Sequence, residues 1–594
     1  MSEPTGDTGG DPGNWGLPPA AAAAARAIDP RRIAAHVKFL SSDLLEGRGT
    51  GTRGGDIAAA YIASQFALDG LKPAGDGGGY LQKINFLGVA TDPGATGFAL
   101  VPDQGNAITL KYGDDYVTTD QTGATDRTID APIVFVGYGI HAPEYDWDDF
   151  KGVDVRGKVL LLFVNEPTGD AVPRSAGAGA GRRTQTTPPL ADPPAPPAPT
   201  SLRSGSVSEP ISGGPKFFDG PALTYYGRWT YKYEEAARRG AAGVLIIHRT
   251  DLASYPWSVV RNSWSGEQAF LADDPQPRLG AASWISWDVA GLLFTAAGKN
   301  IDDMFKTANS RSFKPIPLPV KLSARIVSKV RHFSSSNVLG LLPGRDPGPP
   351  RQVVIYSAHY DHLGIIPGAP GADDIYNGAV DNGTGVGVLL ALAQAYANAT
   401  ERPPHPVLFA SVTAEEKGLL GSDYLARHLP FPARDATLDL NFDALLPLGI
   451  PQSVTLTGAR RTSFYPLVRR TAQAFAMSID ADANPGAGHY FRSDHFSFAR
   501  VGVPAFSIGE GVKFADHPRQ WGVERLDDYI AHRYHQPGDQ FDPNWDFQGL
   551  AKIARFGFAL GWLASTQPQP LQWKPGDAFG RMRQTAPAAA HTRR

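Results

Sequence analysis

The chain of 594 residues contains no cysteine. Disulfides and thiolate metal sites are therefore excluded, and any metal must be held by histidines and carboxylates. No apolar run reaches the ~18 residues that a membrane span needs. Neither sign of charge dominates: the formal net charge is −3, which leaves no electrostatic footprint for nucleic acid. No internal repeat is visible. The opening MSEPTGDTGGDPGNWGLPP lacks the charged-then-apolar order of a signal peptide. The run Ala20 to Ala25 is too weakly apolar to replace one. Export to the periplasm or the exterior, with an initiator Met in place of the signal, is the expectation; a cytoplasmic location stays open.

What is present fits a soluble globular protein, 42% apolar and 19% charged. Its length exceeds one ordinary core and predicts two or more domains. Residues 1–26 read as a flexible leader. Ile33, Val37, Leu40 and Leu44 have helical spacing, and DIAAAYIASQFALDGL gives a second amphipathic helix. The pattern turns β-rich after residue 115, in APIVFVGYGI, GKVLLLFV and PLPVKLSARIV. Residues 116–325 are therefore expected to form an inserted β-rich domain. Within it, about 169–215 is rich in Pro, Gly, Ala and Ser, cannot bury a core, and reads as a disordered loop.

Strands and helices then alternate to residue 566. Strands are expected near 352–358, 406–412, 437–442, 453–457 and 503–508, and helices near 384–397, 418–428, 463–476 and 546–565. This alternation predicts an α/β fold, a three-layer αβα domain with a mixed central sheet, built from 27–115 and 326–566. Residues 567–594 read as a tail.

The chemistry gathers where these strands end. RQVVIYSAHYDH is a buried strand followed by His359 and Asp361, and ligands of open α/β sheets bind at that end. Asp381 lies in the Gly-rich turn before GVGVLLALAQAYA. Glu415 and Glu416 follow the strand PVLFASVT, Asp443 ends TLDLNFD, and His535 lies in RYHQPGDQFD. Two imidazoles and three carboxylates suit zinc or a similar borderline dication. Five ligands exceed what a mononuclear catalytic site needs, but serve two ions about 3.5–4 Å apart if one carboxylate bridges.

The ordered set HYDH, AVDNGTGVG, AEEKGLLGS, NFDALL and YHQPGD resembles the co-catalytic dizinc aminopeptidases. Those zinc exopeptidases are related to bacterial leucyl aminopeptidases, glutamate carboxypeptidase II, glutaminyl cyclases and the transferrin receptor. The resemblance spans roughly residues 30–110 and 330–565, and makes the insert similar to a protease-associated domain. It implies two zinc ions, one on His359 and Asp443, the other on Glu416 and His535, with Asp381 bridging. It also implies that Glu415 is the general base for a water between the ions, and that Asp361 holds the His359 ring. Peptide N-termini would be the substrate. One departure, ALLPLG after Asp443, leaves the shape of the substrate pocket open.

His362 reads as a simple loop histidine, and Asp494 and His495 as structural support. Tyr534 could polarise a carbonyl or pack, and His489 and Tyr490 could line the cleft. A glutaminyl-peptide cyclotransferase and a glutamate-carboxypeptidase-like enzyme remain alternatives, the latter needing clustered arginines such as Arg460, Arg461, Arg469 and Arg470. A metal-free receptor or scaffold would have lost ligands, and none is lost. The preferred N-terminal residue, native metal and oligomeric state are not legible.

Overall fold

The computed structural model describes residues 15–580 apart from 168–216, 219, 221, 254, 347, 349–350 and 367–372. The chain is α/β, with a mixed central sheet. Val407–Val412, Val353–His359, Ala436–Asn441 and Ala505–Glu510 lie side by side and parallel. Ser453–Thr457 closes one side antiparallel to Ala505–Glu510. On the other side the long strand Ile316–Leu342 runs antiparallel to Val407–Val412, and Leu81–Thr91 runs antiparallel to it.

The three layers follow from period-two alternation along these strands. Val354, Tyr356, Ala358, Phe409 and Leu440 face a core built with the helices Pro30–Leu40, Arg53–Leu68, Gly385–Asn398 and Gln548–Ser565. Val353, Ile355, Leu408, Ala410 and Val412 face the opposite core, which holds residues of Leu420–Arg427 and His495–Arg500. Strands buried on both faces read as continuous apolar runs, which is why each was visible in the sequence. The helix Arg519–His532 was not: only Gly522 and Tyr529 are buried along it, so it carries no apolar stripe.

A second sheet collects strands from residues 97–327. Val159–Phe163, Gly243–Ile247 and Ala281–Ile285 are parallel neighbours, and Asp126–Phe135 pairs with both Val159–Phe163 and the first half of Ile316–Leu342. The long strand Ile316–Leu342 therefore serves both sheets, ending in the first. Gln268–Leu271 also returns to pair with Leu81–Thr91.

The termini differ from expectation. The leader is not free over 15–26: Pro19–Arg26 is a helix whose Ala21, Ala22 and Ala25 are fully buried, and Trp15 stacks on Phe475 at 4.5 Å. Alanine is apolar enough to be buried and small enough for close helix packing, and Pro at the first helical position is favoured. Residues 567–580 are likewise no loose tail. Trp573 and Phe579 are buried, and Asp577 binds Arg461 at 2.7 and 3.0 Å. Residues 1–14, 581–594 and the Pro-rich 169–215 lie outside the described residues. Among the described residues no helix is long and apolar enough to cross a membrane.

Candidate metal centre

Four of the expected ligands leave strand ends or the turn beside them, and His535 arrives from the loop after Arg519–His532. His359 Nε2 is 3.1 Å from Asp443 Oδ1 and 3.3 Å from Asp381 Oδ1. His535 Nε2 is 3.1 Å from Asp381 Oδ2 and 3.2 Å from Glu416 Oε2. The two oxygens of Asp381 thus face two different imidazoles.

These spacings test the fit to metal. Two ligand atoms, each about 2.0–2.1 Å from a tetrahedral zinc ion, stand about 3.3 Å apart. All four contacts lie close to that edge length. The donor set, nitrogen and oxygen without sulfur, is what zinc accepts.

Asp381 is held from behind. Asp539, fully buried, accepts the N–H of Val380 at 3.0 Å and of Asp381 at 3.0 Å. The turn needs Gly378, whose φ is +56°; a Cβ there would meet the Asp381 carbonyl oxygen at 2.2 Å. Arg48, fully buried, donates to the carbonyls of Tyr360 (2.7 Å), Asn377 (2.6 Å), Gly378 (2.8 Å) and Leu40. One side chain from the N-terminal helical region therefore ties together the loops that carry His359 and Asp381.

Two expectations need correction. Asp361 holds His359 through its main chain: Nδ1 is 3.1 Å from the Asp361 carbonyl oxygen but 3.8 Å from the carboxylate. The carboxylate is otherwise engaged, accepting from Glu415 N–H at 3.1 Å and from the Thr50 hydroxyl at 2.9 Å. A carbonyl fixes a ring tautomer as well as a carboxylate does. His362 is no simple loop residue. It is fully buried, and its Nδ1 is 2.7 Å from Glu416 Oε1. That contact is shorter than a ligand edge and typical of a charge-assisted hydrogen bond, and His362 also forms with Asp381 and Glu416 a group able to hold a metal ion. Its place one residue after Asp361 on a bent loop gave no periodic signal. The only clue was its nearness to His359.

Electrostatics follow from crowding. Burial pushes Glu415 well above the ordinary carboxylate range; His359 opposes this, while Glu416, Asp443 and Asp494 add to it. Burial alone would lower His359 and His535. Asp443 and Glu415 instead hold His359 well above its ordinary value, and Glu416 and Asp381 raise His535 to about 9. A dication among these groups inverts that logic, since it displaces the protons and favours every carboxylate as the anion.

The remaining candidates separate. Asp494 is fully buried among the site's carboxylates, and burial pushes it up to about 7. His495 is lowered to about 3 by burial and packs edge-on against Tyr490 at 4.8 Å. Tyr490 is itself buried, and His489 pairs with Asp482 at 3.5 Å. Tyr534, 44% exposed, stacks on His535 at 4.0 Å. Arg461 is bound by Asp577, and Arg460 lies over Tyr465 at 5.6 Å.

Residues 337–556, which include His359, Asp381, Glu415, Glu416, Asp443 and His535, match the model of peptidase family M28. Among curated relatives, the leupeptin-inactivating enzyme 1 of Streptomyces exfoliatus is 26% identical over 212 residues, 34% of this chain and 43% of its own. The aminopeptidase NAALADL1 of Rattus norvegicus is 24% identical over 367 residues, 53% of this chain and 46% of its own. The chain thus spans less than half the length of these relatives. A solved aminopeptidase from Aneurinibacillus sp. strain AM-1 is 16% identical, with a TM-score of 0.49 over 94% of this chain and 98% of that one.

Proposed function

We propose that this chain, a member of peptidase family M28 through residues 337–556, is a dizinc aminopeptidase that removes N-terminal residues from peptides. The observation that carries the reading is the bridging geometry of Asp381, one oxygen 3.3 Å from His359 and the other 3.1 Å from His535. His359 and Asp443 would hold one ion, Glu416 and His535 the other, and Asp381 both. When bound, the two ions would supply Lewis acidity, acidifying a water and polarising the scissile carbonyl.

The chain's own groups then have distinct work. Glu415 shares the pocket with His359 and Glu416 but makes none of the contacts of ligand-edge length. It takes the proton of the attacking water and delivers it to the leaving amine, base first and acid second. Its main chain is fixed by the Asp361 carboxylate, so the side chain is aimed without being a ligand. Ser493 donates to Asp443 Oδ2 at 2.6 Å, leaving Oδ1 toward His359. Residues 116–325, which supply most of the second sheet, would be a protease-associated insert. The test is release of 4-nitroaniline from aminoacyl 4-nitroanilides by the zinc-reconstituted chain. Turnover that disappears on chelation and returns with zinc supports the reading; absence of turnover with zinc bound would refute it.

A further inference from the structure

The strand Ala436–Asn441 departs from the apolar character of its neighbours. Leu438, Leu440 and Phe442 face the first core. Asp439, Asn441 and Asp443 alternate with them, along the strand and just past its end, and so share the other face. Asp439 and Asn441 are fully buried, and so is Ser357, the register partner of Asn441 on the neighbouring strand. Polar groups in such places are costly unless hydrogen-bonded.

Their bonds run in one line towards the metal centre. Ser493 donates to Asp443 Oδ2 at 2.6 Å and accepts from Asn441 Nδ2 at 2.7 Å. Ser357 Oγ lies 3.1 Å from Asn441 Oδ1 and 2.9 Å from Asp439 Oδ1. Proton counting fixes the direction of every link. A carboxylate that ligates a metal ion only accepts, so the Ser493 hydroxyl gives its single proton to Asp443. Ser493 must then accept, which turns the Asn441 amide nitrogen towards it and the amide oxygen towards Ser357. That oxygen takes the Ser357 proton. The Ser357 oxygen still stands at hydrogen-bond distance from Asp439, and the proton between them can come only from Asp439.

The surroundings of Asp439 agree. Its Oδ2 is sealed from solvent without a partner among the described residues. Asp494 acts on it from the start of the helix His495–Arg500. Tyr490, the other titratable group it acts on, donates its hydroxyl to the Ala505 carbonyl at 3.2 Å instead. Burial pushes Asp439 well above the ordinary carboxylate range, Asp494 adds to this, and only the Ser357 contact opposes it. An anion there would be uncompensated, whereas a neutral acid is not.

We propose that Asp439 is a protonated carboxylic acid that heads a donor chain, through Ser357, Asn441 and Ser493, and thereby positions Asp443 as a metal ligand. It touches neither ion nor substrate and acts only through the residues between. Each link donates forward, so Oδ2 of Asp443 is held and Oδ1 is left facing His359 Nε2 at 3.1 Å. The positioning role rests on the dizinc reading above; the proton on Asp439 does not.

Three variants of the full chain test it. Asp439→Asn keeps a donor for Ser357, Asp439→Leu removes it at similar shape, and Ser357→Ala cuts the chain one link on. In competition with a zinc chelator, Asp439→Asn should stay close to the parent for both equivalents. Asp439→Leu and Ser357→Ala should each weaken the tighter equivalent by about 10–100-fold and leave the weaker one unchanged. If Asp439→Leu does not fold, Ser357→Ala carries that comparison. Equal weakening of both equivalents would be a general packing effect and would overturn the positioning role. So would an Asp439→Asn protein as weak as Ser357→Ala, because the charge and not the donor would then matter. The infrared difference between the parent and Asp439→Asn at neutral pH needs neither zinc nor turnover. It should show the loss of a protonated carboxyl band; loss of ionised carboxylate bands would overturn the proposal. If the parent binds no zinc, the dizinc reading fails, and the infrared difference alone decides the state of Asp439.

Discussion

The two halves of the metal pocket are built differently. His359 and Asp443 stand at the ends of adjacent parallel strands, with the His359 side chain 1% exposed. His535 lies on a loop, in a left-handed conformation with φ of 55°, and its side chain is 36% exposed. Asp381 belongs to both. One half is fixed by the sheet and the other by loop contacts, so the same donor chemistry has unequal mechanical support. Under the dizinc proposal, the first half should keep its ion under perturbations that empty the second.

The largest effect should come from a residue that belongs to neither half as a ligand. Glu415→Gln keeps size and hydrogen bonding and removes the proton acceptor. Its kcat should fall by about 10²–10⁴-fold or more, with both zinc equivalents retained. Metal analysis alongside anilide kinetics decides it. A near-normal kcat, or a loss explained by missing zinc, would assign Glu415 no proton-transfer role.

His362→Ala sharpens the comparison, because the closest contact of His362 in the pocket is with Glu416, on the open side. Partners of this kind are worth about 10–100-fold in metal affinity. Competition with a zinc chelator should show the weaker equivalent loosened by that factor and the tighter one unchanged. Equal weakening of both would mean that the halves are not separable.

Legibility in the sequence tracks the same division. His359, Glu416 and Asp443 end or follow runs such as VVIYSAH and VLFASV, whose continuous apolar character marks buried parallel strands, and Asp381 was marked by the Gly-rich turn before its helix. Their arrival at one edge follows from topology. His535 has no such flank, and only the YHQPGD pattern pointed to it. His362 was misread because a bend, rather than a periodicity, turns it inward. The helix Pro19–Arg26 was missed because a run of alanines is only weakly apolar, although its small side chains suit tight packing. The sharing of Ile316–Leu342 between two sheets was equally hidden, since strand alternation carries no information about which neighbour it pairs with.

A smaller effect concerns pH in the metal-free protein. Glu416 and Asp381 raise His535 above its unfolded value of 6.5 to about 9. Its protonated form therefore stabilises the fold fully below pH 6.5, and that contribution is lost as pH rises through about 9. The Tm of chelated protein should fall across this window, and His535→Gln should flatten the slope. Zinc should flatten it too, since the ion takes the place of the proton. An unchanged slope in His535→Gln would place the titration elsewhere.

The most direct measurement is a calorimetric titration of zinc into metal-stripped protein, for the parent and for Glu416→Gln. A shared Asp381 with two unequal halves predicts two equivalents of different affinity in the parent. It predicts a single equivalent, the tighter one, in Glu416→Gln. One equivalent in the parent, or loss of both in the variant, would contradict the account.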